Sequence, residues 1–208
     1  MHKESPRNPP HVLPLAAALA LVLIILLPVI IISPTDVLNV LIRVCALSGT
    51  FCLTLAAISS AFVMQISKLT RRPFKQFHHI LAISGVILIT LHPLFFAWQM
   101  KSFDVFIPQL GSWPAFLSWG GRIGIILIYL ALIGALLMRR IPRQWRYWHW
   151  LVYPSLLLGG IHALRMGQDI ITSTAAQILA WTILALTVIV FLYKRWHQRS
   201  PPKIKGTA

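Results

Sequence analysis

The chain has 208 residues, of which 57% are hydrophobic and only 11% are charged. This composition is typical of an integral membrane protein, and we expect no separate soluble domain beside one membrane bundle. Only four residues are acidic, which leaves little material for paired-carboxylate catalysis. The net charge of +15 lies mostly in the tails and in loops between apolar segments, so membrane topology explains it and nucleic-acid binding is not expected.

Six apolar segments predict six membrane-spanning helices. The first, residues 12–32, is too long for a signal-peptide core and lacks an A-x-A cleavage site, so we expect it in the mature protein. The others are expected at residues 37–66, 77–98, 117–138, 147–164 and 175–193. The predicted fold is therefore an all-α six-helix membrane bundle over residues 12–193, with an N-terminal tail (1–11) and a basic C-terminal tail (194–208).

The loops alternate in charge. Lysine and arginine are concentrated in the tails, between spans two and three, and between spans four and five, whereas Asp36, Asp104 and Asp169 lie in the other loops. Because positively charged loops stay in the cytoplasm, both termini are predicted to be cytoplasmic. We expect a multi-pass protein of a bacterial or archaeal cell membrane, surrounded by lipid.

Four histidines lie in two predicted spans. His78 and His92 are fourteen residues apart in the third span, and His149 and His162 are thirteen apart in the fifth. Histidine inside a membrane is costly and indicates a functional site. Both spans run outward from the cytoplasm, so the histidines form two levels about 20 Å apart. Two imidazoles per level predict two stacked bis-histidine hemes, of b type because no C-x-x-C-H motif is present.

Two details of this ligand set stay open. A spacing of fourteen brings the second side chain back within about 40° of the first, but thirteen leaves an offset of about 140°. Pro154 and the Gly159–Gly160 pair could permit the distortion that this offset requires. His79 competes with His78 as inner ligand, but points about 100° away, so we expect it near a heme propionate instead.

The histidine pattern fits heme better than other classes of site. Two histidines per level underfill a tetrahedral zinc site, and polar-cavity histidines would not require matched depths. Arg43, Arg122 and Arg165 lie in the outer half of the bundle, where anionic propionates of the outer heme would pair with them. Snorkelling to the outer face is the alternative for Arg43.

Residues 41–193 resemble the ferric reductase-like transmembrane domain, a family that includes ferric reductases, NADPH oxidases and the stand-alone YedZ/MsrQ heme subunits. The resemblance is carried by the His78–His92 spacing and by W-x-x-x-H-x-L-V-Y at residues 145–153, followed by His162. Ala82 stands where the family has glycine. The flavin and NADPH domain of the larger members is not in this chain, so the resemblance is to the stand-alone heme subunits.

The expected function is electron transfer across the membrane through the two hemes, as the membrane heme component of an oxidoreductase. Electrons would enter at His78 and His149 from a separate flavoprotein or a quinone, and leave at His92 and His162. The acceptor would be a ferric chelate, oxygen, a quinone or a protein on the outer face. Flavin would come only from a partner or bind loosely. A histidine-relay transporter or channel, and a non-catalytic heme anchor of a redox complex, are the alternatives.

The topology can be tested with reporter fusions. A cytoplasmic reporter at Ala208 should be active and a periplasmic one inactive, while the opposite holds for fusions near Ser102, because the basic loops define the cytoplasmic side. An active periplasmic reporter at Ala208 would invert the topology and exchange the inner and outer levels.

Overall fold

The computed structural model describes residues 36–71, 73–108 and 110–199, and every regular element in these ranges is helical. The predicted first span and the ends of both tails lie outside the described residues. The helices are α1 (Val37–Ser59), α2 (Val63–Thr70), α3 (Phe74–Met100), a 3-10 turn (Asp104–Phe106), α4 (Trp113–Ser118), α5 (Gly120–Leu136), α6 (Trp145–His149), α7 (Val152–Met166), α8 (Gln168–Thr172) and α9 (Thr174–Arg199).

Three of these helices are long and apolar enough to cross a membrane. They comprise all of α1 and α3 and the stretch Ala176–Trp196 of α9, and α5 is a shorter apolar helix. The large hydrophobic side chains on these helices are widely exposed, such as Ile83 in α3 and Ile189 in α9, each 58% accessible. An apolar surface of this extent indicates a protein that is surrounded by lipid.

The second predicted span ends earlier than expected. Helix α1 stops at Ser59, and residues 63–66 belong to the separate helix α2. The Ser59 and Ser60 hydroxyls donate to the carbonyls of Ala56 and Ala57, at 3.0 and 2.5 Å. Such local bonds compete with the helical ladder, so this pair of serines supplies the stop that the apolar pattern did not show.

The fourth and fifth predicted spans are each divided into two helices. Trp119 separates α4 from α5, and Trp150 and Leu151 separate α6 from α7. Pro154 lies in the first turn of α7, where a missing N–H leaves no helical bond unmade. Helix α3, by contrast, continues through Pro93.

The described helices pack as two antiparallel pairs. Helix α1 packs along α3, and α5 packs along α6 and α7, while α9 contacts α7 and α1. The pairs meet in a small core formed by Leu53 and Ala57 of α1, Ile128 of α5 and Leu156 of α7.

Glycines set the close approach of α1 to α3. A Cβ on Gly49 would lie 2.8 Å from the backbone nitrogen of Ile89, and one on Gly85 would lie 2.7 Å from Cγ of Leu53. Both glycines are buried. Small residues that let two helix backbones approach are a common packing device within membranes, and here they fix the distance between α1 and α3.

Replacing Gly49 with alanine should separate α1 from α3. We expect Gly49→Ala to lower the free energy of unfolding by roughly 1–3 kcal/mol, because the new methyl group meets backbone that cannot rotate away. Thermal unfolding in detergent measures this change. The control is Gly159→Ala, where a Cβ meets nothing within 4 Å, so that variant should be at least as stable as the parent protein.

Candidate functional site

The structure brings the four histidines of the predicted third and fifth spans together in two pairs. The imidazole rings of His78 and His149 lie with centroids 6.2 Å apart and planes at 72°. His92 and His162 lie further along the same two predicted spans, and each places its Nδ1 at a backbone carbonyl. All four side chains are half-buried. We call His78 and His149 the inner pair, and His92 and His162 the outer pair.

Helix α1 holds both histidines of α3 through backbone carbonyls. Nδ1 of His78 lies 3.2 Å from the Ala56 carbonyl, and Nδ1 of His92 lies 3.0 Å from the Ile42 carbonyl. A carbonyl can only accept, so each Nδ1 must carry the proton. The remaining nitrogen, Nε2, then keeps its lone pair. A donated Nδ1–H is the usual way in which a protein orients a metal-binding imidazole.

The two helices match residue for residue over this stretch. Ile42 and Ala56 are fourteen residues apart, as are His78 and His92, and α1 runs antiparallel to α3. Ala56 belongs to the last turn of α1, where carbonyls have no backbone partner within the helix, and its oxygen accepts from both the Ser59 hydroxyl and His78. Gly49 and Gly85 lie midway on their helices, so the closest approach falls between the two histidines.

Helices α4 to α7 show part of this arrangement, with a spacing of thirteen. Nδ1 of His162 lies 2.5 Å from the Ser118 carbonyl. Nδ1 of His149 is buried without a hydrogen bond, although its ring interacts with the Ala131 carbonyl. Ser118 and Ala131 are thirteen residues apart, as are His149 and His162.

The helix break between His149 and His162 accounts for their unfavourable spacing. The amide of Leu151 donates to Trp148 and that of Tyr153 donates to Trp150, three residues back. Residues in such 3-10 turns advance by about 120° instead of about 100°. The additional rotation reduces the offset of an ideal helix. The distortion therefore lies at Trp150 and Leu151, before Pro154 and the paired glycines.

Gly121 makes room for the outer ring. A Cβ at this position would lie 2.8 Å from Cδ2 and 3.2 Å from Nε2 of His162. Only a hydrogen atom fits between α5 and the imidazole, so the His162 ring is held by the Ser118 carbonyl at one edge and by Gly121 against its other side.

The separation of the inner pair fits a site with two imidazole ligands. A metal–imidazole bond is roughly 2.0 Å long, so two imidazoles that held one metal ion between them would have centroids about 6 Å apart, close to the 6.2 Å of the inner pair. In the described part of the chain, no hydrogen bond uses Nε2 of these four histidines. No group of three or more His, Cys, Asp or Glu side chains within these residues could hold a metal ion.

Of the three arginines expected to pair with heme propionates, Arg122 and Arg165 lie beside the outer pair, whereas Arg43 pairs with an aspartate. Arg122 lies over the Trp119 ring at 4.4 Å and interacts electrostatically with His162. Nε of Arg165 donates to the Ser118 hydroxyl at 3.1 Å, so Ser118 contacts both the outer histidine and an arginine. These two arginines therefore border the outer pair.

Arg43 already has a protein partner. Its Nε donates to Oδ2 of Asp169 at 2.5 Å and its Nη2 contacts Oδ1, and both side chains are 14% exposed. This ion pair joins α1 to α8, and sequence reasoning missed it. The indication was present, since Arg43 is the arginine furthest inside a span and Asp169 is one of three acidic residues on the same side.

At the inner level, the adjacent residues His78 and His79 have different surroundings. The His79 side chain is exposed, with its ring 6.1 Å from that of His78 and no hydrogen bond in the described residues. Lys194 is the first residue of the predicted basic tail, but it lies within helix α9. Its Nζ donates to Ser60 at 2.8 Å, and its charge reaches both inner histidines.

Comparison with known proteins adds no relative: no family model, curated protein or solved structure matches this chain.

Removing the partner of Arg43 should destabilise the protein. We expect Asp169→Asn to lower the free energy of unfolding by roughly 2–3 kcal/mol, because a mostly buried guanidinium loses its counter-charge. The double variant Arg43→Met/Asp169→Leu should recover most of this loss. Thermal unfolding is the measurement, and the exposed Asp104→Asn is the matched control. Equal loss in both aspartate variants would show that the ion pair has no special role.

Proposed function

We propose that this protein carries electrons across a membrane through two b-type hemes, each held by two histidines. The observation that supports this proposal best is the shared environment of the four imidazoles. They pair across two helices, three of them donate Nδ1–H to a backbone carbonyl, and Nε2 stays available for iron. His78 and His149 would hold the inner heme, and His92 and His162 the outer heme.

The proposal includes the complete six-span bundle, with both termini in the cytoplasm of a bacterial or archaeal cell. The first span would be residues 12–32. A separate flavoprotein or a quinone would reduce the inner level, and a ferric chelate or an outer-face protein would oxidise the outer level. Heme supplies the one-electron chemistry when bound, while the chain supplies ligation, spacing and electrostatics.

The residues around each pair have distinct tasks in this proposal. Ile42, Ala56 and Ser118 orient imidazoles through their carbonyls, and Gly121 leaves space for the His162 ring. Arg122 and Arg165 would bind the outer propionates. Arg43 is already paired with Asp169, so it could contact a propionate only while it keeps that ion pair. His79 would lie near a propionate of the inner heme.

A histidine relay for transport is less well supported. A relay passes protons along a chain of hydrogen bonds, whereas the hydrogen bonds that His78, His92 and His162 make within the described residues end at backbone carbonyls. The two levels are also separated by about 20 Å along a helix.

The decisive experiment measures heme in protein purified after expression with adequate heme supply. We expect about two hemes per chain and a low-spin reduced-minus-oxidised spectrum, because two imidazoles saturate each iron. A heme ratio near zero would reject the electron-transfer proposal.

Single alanine variants test the pairing. His92→Ala and His162→Ala should each lose the same heme, and His78→Ala and His149→Ala the other, so that every single variant keeps about one. The matched control is His79→Ala, an adjacent histidine whose loss should leave both hemes. If His92→Ala and His149→Ala removed one shared heme, the two-level arrangement would be wrong.

A further inference from the structure

A shallow pocket, with room inside it for about one water molecule, lies between α7 and α9 at the end of the bundle that carries the basic loops, so that a larger anion would lie over its mouth. It is lined by two cations and three aromatic rings: Trp150, Tyr153, Phe191, Lys194 and Arg195. All five side chains are half-buried. The pocket therefore combines positive charge with partial shielding from water, the two conditions that strengthen anion binding.

The aromatic rings hold the two cations in place. Nζ of Lys194 lies 5.9 Å from the centroid of Tyr153, and the guanidinium of Arg195 lies 5.0 Å from that of Trp150. Cation–π contacts restrict these long side chains without neutralising them. Lys194 is further fixed by the Ser60 hydroxyl, which is also uncharged.

No acidic residue within the described ranges lies near this pocket. The chain's four acidic residues are Glu4, Asp36, Asp104 and Asp169, and the last three lie at the opposite end of the bundle. Among the described residues, the ion pair of Arg43 with Asp169 is the one present. Lys194 and Arg195 are thus two adjacent, oriented cations that require a counter-charge from outside the described chain.

The surface beside the pocket is apolar. Leu192 and Val188 lie one and two turns before Arg195 on α9, hence on the same face, and they are 58% and 40% exposed. This strip runs from the pocket towards the middle of the bundle. A ligand with a phosphate at the pocket and hydrocarbon along the strip would match both parts, whereas a soluble phosphate compound would leave the strip uncovered.

We infer that Lys194 and Arg195, supported by Trp150 and Tyr153, form a specific site for the phosphate headgroup of an anionic phospholipid. Basic pockets between membrane helices on the cytoplasmic side are suited to such headgroups. The inference does not depend on heme, because the pocket lies outside the two histidine pairs and its ligand binds by charge and apolar contact.

The test is lipid-dependent thermal stabilisation in detergent. Phosphatidylglycerol added to protein in mixed micelles of detergent and phosphatidylcholine should raise the unfolding temperature saturably, with an apparent affinity that falls about tenfold in Lys194→Gln/Arg195→Gln. The control is Arg139→Gln/Arg140→Gln, which removes the same charge from exposed positions of the same face and should change the affinity less than about twofold. Arg195→Gln alone keeps the Lys194–Ser60 bond, and it serves if the double variant does not fold.

Several results would overturn the inference. Equal weakening in both double variants would mean diffuse attraction without a site, and unchanged affinity in Arg195→Gln would remove that residue from the site. Equal stabilisation by inorganic phosphate or glycerophosphate would identify a soluble ligand instead. Heme content is measured in the same samples. Loss of lipid stabilisation only where heme is also lost would assign the pocket to the cofactor, while absence of heme with lipid binding intact would reject only the proposed function.

Discussion

The hydrogen bond from a histidine Nδ1–H to a carbonyl of the neighbouring antiparallel helix is the interaction on which the site depends. It sets the tautomer, the orientation of the ring and the availability of Nε2 at once. It also sets helix register, since two histidines on α3 meet their acceptors together only if α1 is aligned over the whole distance between Ile42 and Ala56. The glycines at the midpoint of both helices allow the close approach that these bonds require.

The second hairpin makes this bond at His162 only, and its local structure differs. In the first pair, two continuous helices meet with a spacing of fourteen, which suits an undistorted helix. In the second pair, the spacing of thirteen is accompanied by interruptions at Trp119 and at Trp150–Leu151. Each interruption lies next to a histidine or its acceptor. The chain thus presents two pairs of imidazoles through a helical hairpin that is regular and one that is segmented.

Much of this arrangement was predictable from the sequence. Apolar runs located the long helices α1, α3 and α9 and the apolar helix α5, and matched depth on parallel spans predicted the proximity of His78 and His149. These features follow from helix rise and membrane thickness, which are nearly independent of context. The short end of α1 and the divisions at Trp119 and Trp150 were not predictable, because they depend on single side-chain bonds and on packing. The ion pair of Arg43 with Asp169 joins residues far apart in the chain, and the spacing rules apply only within one helix.

Alignment of two carbonyls with two imidazoles has a consequence for how such a chain can change over evolutionary time. Loss of one residue between His78 and His92 would rotate the second ring by about 100° and move it by about 1.5 Å. Loss of one residue from the facing stretch of α1 would move the acceptor by the same rise. Insertions and deletions should therefore be inherited as compensated events on both helices of a hairpin, while the other hairpin keeps its own length. Spacings of fourteen and thirteen can therefore coexist in one protein, because the length of one hairpin can change without a matching change in the other.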